Sequence, residues 1–217
     1  MSVNEKPNLS TPEGLKRFLN RPRKRVGEQC EMCGEPISDQ HSHIVNVESR
    51  NLMCTCRACY LLFTHSGAAQ GKYLAVPERY LYDPDFTIST GQWESLQIPV
   101  SMAFFFRNTS LDRVTTFYPS PAGATESLLP LGTWDDVMAA NSGFGDVTPD
   151  VEALLLRRDA DVTACYLVPI DVCYELVGRV KMHWRGFSGG DEVWREIDAF
   201  FAHLQKRSRL VESSRRI

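Results

Sequence analysis

The spacing of apolar residues along the middle of the chain predicts strands. A nearly continuous apolar run over 99–107 and the segment 113–118 predict two strands, joined by the polar turn 108–112. A second pair is predicted over 151–158 and 163–170, around the polar residues 159–161. Residues 119–123 are predicted to form a loop. The centre of the chain is therefore expected to form antiparallel hairpins.

Helical spacing replaces this pattern towards the end of the chain. After Asp171, apolar residues recur at i, i+4, i+7 and i+11, which predicts a helix with Cys173, Val177, Val180 and Trp184 on one face. The Gly pair 189–190 is predicted to separate it from a last helix. The apolar stripe of that helix, which we expect in the core, consists of Val193, Trp194, Ile197, Phe200, Phe201 and Leu204. Two shorter helices are predicted over 13–20 and 133–141.

This order predicts an α+β fold. It has a small treble-clef or zinc-ribbon-like module, then a mixed α+β domain with antiparallel strands and two C-terminal helices. The expected divisions are a basic leader with a short helix, a Cys-rich module, a linker, the α+β domain and a basic tail, over 1–26, 27–66, 67–96, 97–205 and 206–217.

Composition and charge narrow the class of protein. The chain has 217 residues, of which 43% are hydrophobic and 24% charged, which is typical of a globular protein. Residues 1–26 hold seven Lys/Arg against two Glu, and 206–217 hold five against one, so the body between them is acidic. An acidic body argues against a dedicated nucleic-acid-binding domain. No apolar stretch is long enough to predict a membrane span, and the polar N-terminus predicts a cytoplasmic location.

Cysteine spacing carries the clearest chemical signal. Five of the seven cysteines lie between residues 30 and 59. Cys30-x-x-Cys33 and Cys56-x-x-Cys59 each form a short turn that can direct two thiolates at one ion, and two such turns complete a tetrahedron. The odd number of cysteines and their clustering favour metal binding over disulfides. Zn²⁺ is the expected metal, because four soft sulfur ligands suit it.

Three further residues leave the ligand set open. His41, His43 and Cys54 lie between the two turns or beside the second one, and any of them could substitute for a cysteine ligand. A site for two metal ions, an iron site, or an iron–sulfur cluster that uses Cys54 remains an alternative. Iron would predict an electron-transfer protein.

The Cys-rich segment resembles the treble-clef zinc knuckle of HNH endonucleases. The resemblance lies in Cys-x-x-Cys-Gly, His-x-His-Ile and Asn-Leu-x-x-x-Cys-x-x-Cys. It implies that His43 occupies the position of the general base, where Ser42 replaces the acidic residue that precedes it in the family. The residue expected after the last knuckle is replaced by Tyr60. The resemblance therefore implies the scaffold, with nuclease or nucleic-acid-binding activity through His43 as an alternative function.

The chain as a whole resembles an uncharacterised bacterial family encoded beside high-affinity uptake [NiFe] hydrogenases. The matching stretches, spread over residues 30–194, are CEMCGEPISDQHSHIVNVESRNLMCTCRACYLLF, FYPSPAGATESLLPL, PDVEALLLRR, YLVPIDVCYELVG and HWRGFSGGDEVW. The resemblance implies an accessory or assembly role around that enzyme, with a hydrogenase subunit or maturation factor as partner, and it brings no catalytic residues. We therefore expect a non-catalytic zinc-binding protein that acts by protein–protein docking.

Two other features are expected to be structural. Gly186-Phe187-Ser188-Gly189-Gly190 matches the Gly-x-Ser-x-Gly pattern of a nucleophile elbow, but a helix rather than a strand is predicted before it. We therefore interpret it as a joint between helices. Cys165 and Cys173 stand in apolar surroundings and are expected to be buried, not reactive.

Overall fold

The computed structural model describes residues 27–65, 67–127, 132–141, 143–160 and 162–211. The short helix predicted over 13–20 lies outside these residues, as do most of the basic leader and residues 212–217 of the basic tail.

Ten strands and five α-helices form the described part of the chain. The strands are β1 (Ser42–Asn46), β2 (Asn51–Thr55), β3 (Tyr73–Ala75), β4 (Leu81–Asp83), β5 (Met102–Asn108), β6 (Arg113–Ser120), β7 (Gly123–Ser127), β8 (Glu152–Asp159), β9 (Val162–Pro169) and β10 (Arg209–Leu210). The helices are α1 (Arg57–Leu61), α2 (Thr90–Ser95), α3 (Gly132–Ala140), α4 (Ile170–His183) and α5 (Gly190–Arg207). A short 3-10 helix spans Ala68–Gly71.

A seven-stranded sheet forms the centre of the molecule. Its strand order is β10-β4-β9-β8-β5-β6-β7, and every pairing is antiparallel except that of β10 with β4. Both faces of its middle strands are covered, because Phe104 lies in one hydrophobic core and Phe105 in another. Burial on both faces explains why β5 reads as a continuous apolar run instead of an alternating one.

The two long helices cover one face of the sheet. Helices α4 and α5 contribute Leu176, Val180, Ile197 and Phe200 to the core that contains Phe104. Val180, Ile197 and Phe200 belong to the apolar stripes that the sequence predicts, whereas Leu176 was not among the predicted residues. Burial of each large apolar side chain contributes about 1.5–3 kcal/mol to folding. Helices α2 and α3 cover the opposite face, where the ring of Trp134 stacks on Phe105.

A second, three-stranded antiparallel sheet has the order β2-β1-β3 and belongs to the Cys-rich module. Its central strand β1 contacts two cores at once. Ile44 packs in a small local core with Tyr60 and Phe63, whereas Val45 packs in the large core beneath α4 and α5. Successive side chains of a strand point to opposite faces, so one short strand joins the Cys-rich module to the main sheet.

The predicted fold class is confirmed: the structure is a mixed α+β fold with antiparallel sheets and two C-terminal helices. The segment 67–96, expected to be a linker, contains β3, β4 and α2. The loop expected over 119–123 instead contains the end of β6 and the start of β7. Part of the expected tail also forms structure, since Arg209 and Leu210 pair with β4.

One core prediction is wrong. Trp194 was expected in the apolar stripe of α5, but 43% of it is exposed, whereas Phe200 and Phe201 are buried as predicted. Trp194 lies in the first turns of the helix, where its indole N–H donates to the carbonyl of Ser188 in the preceding joint. Among the described residues, no helix combines the length and the apolar character needed to cross a membrane.

Candidate metal centre

The first Cys-x-x-Cys segment folds into a tight turn. Gln29 pairs with Pro36 in an isolated bridge, and inside it the N–H of Cys30 donates to the carbonyl of Glu35 at 2.8 Å. The N–H of Gly34 donates back to the carbonyl of Cys30 at 2.8 Å. Gly34 has a φ of 78°, a left-handed conformation that glycine adopts without strain. This explains why glycine follows the second cysteine of the pair.

The second Cys-x-x-Cys segment begins α1. Cys56 is the N-cap of that helix, and its Sγ accepts a hydrogen bond from the N–H of Cys59 at 3.4 Å. Cys59 lies in the first turn, so both sulfurs of the pair lie at the start of the helix. The second knuckle is thus formed by a helix cap.

Glu31 connects the two turns. Its N–H donates to the carbonyl of Cys54 at 2.9 Å, and its carboxylate Oε2 accepts from the N–H of Cys54 at 2.6 Å. Cys54 lies near the end of β2, two residues before Cys56. These bonds hold the first turn against the strand that leads into the second, and they bring the two Cys pairs together.

The ligand atoms of Cys30, Cys33, Cys56 and Cys59 all lie within 4.8 Å of one another. The sulfurs of Cys33 and Cys56 are 3.8 Å apart. A tetrahedral ion with metal–sulfur bonds of about 2.3 Å requires sulfur–sulfur separations of about 3.8 Å. The spacing therefore fits a single four-coordinate metal ion, and the order of turn, hairpin and helix is that of a treble clef.

The four thiols differ in how readily they ionise. Burial raises the pKa of Cys30, but backbone N–H groups of Cys56, Cys33 and Met32 that donate to its sulfur outweigh burial and bring the pKa to about 6. Hydrogen bonding with the thiol of Cys33, together with burial, raises the pKa of Cys59 to about 12. The backbone hydrogen bonds thus favour the thiolate of Cys30, and the thiolate is the form that binds metals.

The three remaining candidates form a separate group. The ligand atoms of His41, His43 and Cys54 lie within 4.8 Å of one another and are not part of the four-cysteine group. His43 Nδ1 lies 2.8 Å from Asp171 Oδ2, and His41 Nδ1 lies 2.9 Å from the carbonyl oxygen of Ser38. No local sequence pattern indicates Asp171 as a partner of His43, because the two lie 128 residues apart and only the tertiary fold brings them together.

The other sequence candidates have structural positions. Ser188 lies in the joint between α4 and α5, with Gly189 as the N-cap of α5. The prediction that a helix, not a strand, precedes this segment is therefore confirmed. Cys165 and Cys173 are fully buried, and burial raises the pKa of both thiols well above the usual range. Neither lies in the two candidate ligand groups.

Comparison with known proteins gives one match. Neither the curated proteins nor the solved structures contain a significant match to this chain. A family model described as "Family of unknown function (DUF5947)" matches residues 29–208, which include both ligand groups and all of the central sheet except β10. The chain therefore belongs to the DUF5947 family.

Proposed function

We propose that the four-cysteine group binds Zn²⁺ in a structural role, and that the protein is a non-catalytic accessory or assembly protein of a [NiFe] hydrogenase system that acts by docking. The observation that carries the metal part is the convergence of Cys30, Cys33, Cys56 and Cys59 from two turns. Four protein ligands close a tetrahedral site and leave no position for a substrate, which is typical of structural zinc.

A structural role also agrees with the small core of the Cys-rich module. Its own buried cluster consists of Ile44, Tyr60 and Phe63. So few residues supply little hydrophobic stabilisation, and metal binding can supply the folding free energy that such a segment lacks. Four sulfurs would also accept iron. A purified protein with an absorption band in the visible range that dithionite bleaches would favour the iron-based electron-transfer alternative over zinc.

Exposed apolar side chains support docking. Around the joint between α4 and α5, Met182 is 67% exposed, Trp194 43% and Phe187 completely exposed. Exposed aromatic and methionine side chains of this kind are typical of protein–protein contact sites. We propose that Met182, Phe187 and Trp194 contact the partner. The proposed occupant is a hydrogenase subunit or maturation factor, and this assignment rests on the resemblance of the five sequence stretches.

The docking proposal is tested by affinity purification from cells that produce the hydrogenase. We expect a hydrogenase subunit or a hydrogenase maturation factor to be retained by the wild-type protein, and less of it to be retained by Phe187→Ser. Leu62→Ser is the matched control, because Leu62 is 66% exposed but lies at the end of α1 in the Cys-rich module, which contacts the opposite end of α4 through His43 and Asp171. If neither a subunit nor a maturation factor is retained, the hydrogenase assignment is wrong, whatever other proteins are captured.

One contact supports a second candidate function, an HNH-like nuclease. HNH endonucleases have an acidic residue before the general base, and Ser42 occupies that position in this chain. Asp171 offers a carboxylate to His43 Nδ1 from another part of the fold. A carboxylate at this nitrogen orients an imidazole so that Nε2 can accept a proton from water. Metal-dependent nicking of DNA that His43→Ala abolishes would support this candidate, and absence of nicking would reject it.

A further inference from the structure

His41, His43 and Cys54 are brought to one face of the hairpin by strand register. His43 lies directly opposite Cys54 in the antiparallel pair of β1 and β2. Directly opposed side chains lie on the same face, with Cβ atoms about 5 Å apart. His41 precedes His43 by two residues, which places it on the same face. Backbone pairing thus brings His43 and Cys54 together, and His41 joins them from the residue before β1, with the ligand atoms of all three within 4.8 Å of one another.

Each of the two imidazoles forms a hydrogen bond through Nδ1 to an oxygen acceptor. The carbonyl of Ser38 can only accept from His41, and the carboxylate of Asp171 accepts from His43. In the neutral imidazole, a hydrogen on Nδ1 leaves a lone pair on Nε2. An imidazole that donates Nδ1–H to a carbonyl or carboxylate and offers Nε2 is the usual arrangement of a metal-binding histidine. Two adjacent histidines share it here.

His41 Nε2 has no hydrogen-bond partner although it is buried. The side chain of His41 is 8% exposed, and its Nε2 is one of two buried side-chain nitrogen or oxygen atoms without a partner among the described residues. A buried polar atom without a partner is costly, and a native structure rarely keeps one without a reason. A metal ion between the three side chains would satisfy it.

The surrounding charges favour a cation. Glu28 Oε2 lies 3.5 Å from His41 Nδ1, and Glu31 Oε2 accepts the N–H of Cys54. Asp171 supplies a third carboxylate through His43. His41 and His43 also line a broad groove of about 1380 Å³, which gives an ion and its additional ligands a route to the group. The ring centroids of the two histidines are 4.7 Å apart, so little movement would be needed to share an ion.

We propose that His41, His43 and Cys54 form a second metal site, distinct from the four-cysteine site. Two imidazole nitrogens and one thiolate suit a borderline divalent transition-metal ion, of which Zn²⁺ and Co²⁺ are the practical probes. Three protein ligands leave a coordination position for water or for a ligand from another molecule. The proposal does not rest on the docking function, and it assigns the three residues a role beyond substitution for a missing cysteine.

The test is a count of bound metal. Full-length protein, stripped of metal and titrated with Co²⁺ and then with Zn²⁺, is expected to bind two ions per chain. His41→Ala and Cys54→Ser are each expected to bind one, with loss of the Co²⁺ absorption bands that belong to the mixed nitrogen–sulfur site. His65→Ala is the matched control, because His65 lies in the same module, is exposed and is outside both ligand groups. It should bind two.

Asp171→Asn adds a graded measurement. It removes the charge behind His43 without removing a ligand, and loss of such a supporting group typically weakens metal binding about 10–100-fold. A wild-type count of one ion would overturn the proposal, and so would an unchanged count in both His41→Ala and Cys54→Ser. Far-ultraviolet circular dichroism checks that each variant is folded, and Cys54→Ala replaces Cys54→Ser if the latter is not.

Discussion

His43 on β1 lies 2.8 Å from Asp171 in the first turn of α4, and this contact connects the small sheet to the helical layer of the large one. Both side chains are mostly buried, with 21% and 25% of their surfaces exposed. Removing one partner leaves the other without its hydrogen bond. The contact thus contributes to the attachment of the Cys-rich module as well as to the orientation of His43.

Asp171→Ala is expected to lower the free energy of unfolding by about 1–2 kcal/mol, because a partly buried hydrogen bond to a carboxylate is lost. Urea unfolding of the zinc-loaded protein measures it. Glu192→Ala is the matched control, since His183 and Glu192 form a similar pair at 2.8 Å but Glu192 is 53% exposed. The control should lose less. An equal loss of unfolding free energy in the two variants would show that the contact of His43 with Asp171 contributes no more stability than the more exposed pair of His183 and Glu192.

Removal of one cysteine ligand is expected to cost metal as well as stability. Cys59→Ser should lose the ion of the four-cysteine site and lower the unfolding temperature. The substitution leaves only three thiolate ligands, because the serine hydroxyl does not replace the fourth. Cys165→Ala also removes a thiol, but from the core of the large sheet, and should retain all bound metal. Elemental analysis with thermal unfolding distinguishes the two. Retention of full metal content by Cys59→Ser would contradict the proposed ligand set.

Metal binding to the four-cysteine site is expected to release protons. At pH 7 the thiol of Cys30, with a pKa of about 6, is mostly ionised, whereas that of Cys59, with a pKa of about 12, is protonated. Because the metal binds thiolates, the proton of Cys59 must leave, and apparent affinity should rise as the pH increases through the neutral range. Calorimetry in buffers of different ionisation enthalpy measures the number of protons released. A pH-independent affinity would contradict the prediction.

An ion pair between partly exposed Arg79 and buried Glu152 stabilises the start of β8. Arg79 Nε and Nη2 each lie 2.7 Å from the carboxylate of Glu152, which is 1% exposed and also accepts the N–H of Thr148. Arg79→Ala leaves that carboxylate buried without its counter-ion and is expected to cost about 3 kcal/mol. Chemical denaturation measures this cost.

The matched control for this pair is Arg107→Ala. Arg107 bonds to Asp112, but the two side chains are 54% and 86% exposed, so the loss should be below about 1 kcal/mol. The double variant Arg79→Ala/Glu152→Gln should recover part of the stability lost in Arg79→Ala, since the buried charge is removed with its partner. If Arg79→Ala loses no more stability than Arg107→Ala, the pair of Arg79 and Glu152 is not important for stability.

The joint between α4 and α5 depends on one glycine. Gly189 has a φ of 89°, and a Cβ there would lie 2.8 Å from Val193 Cγ1 and 3.3 Å from the ring of Trp184. Gly189→Ala is therefore expected to destabilise the protein by about 1–3 kcal/mol through backbone strain and crowding. Gly186→Ala shares a positive φ of 64° but meets open space, and should cost less. Thermal unfolding of the two variants gives the comparison.

The sequence predicts best those elements whose burial pattern is simple. Strands β5, β8 and β9 are buried on both faces, and α4 and α5 have regular apolar stripes, so periodicity is sufficient to predict them. Strand β7 is half-buried along its whole length and has the polar sequence GATES, so it has no apolar signal. Strand β10 has two exposed residues and depends on pairing with β4.

The candidate ligands likewise divide into those that local spacing predicts and those that depend on tertiary structure. Cys-x-x-Cys spacing is local, so the sequence predicts that Cys30 and Cys33 lie together, as do Cys56 and Cys59. The grouping of His41 and His43 with Cys54 depends on hairpin register, for which the His-x-His spacing was the available signal. The position of Asp171 behind His43 depends on the packing of α4 against the hairpin, which no local pattern encodes.

Strand β1 directs Ile44 into the core of the Cys-rich module and Val45 into the core beneath the long helices. A fragment cut out at residue 66 would therefore present Val45 and its neighbours to water and would be prone to aggregate. Conversely, any event that unfolds the hairpin uncovers part of the larger domain. We therefore expect the hairpin and the helical layer to unfold together, and the cysteine-rich segment to fold poorly when grafted alone onto another protein.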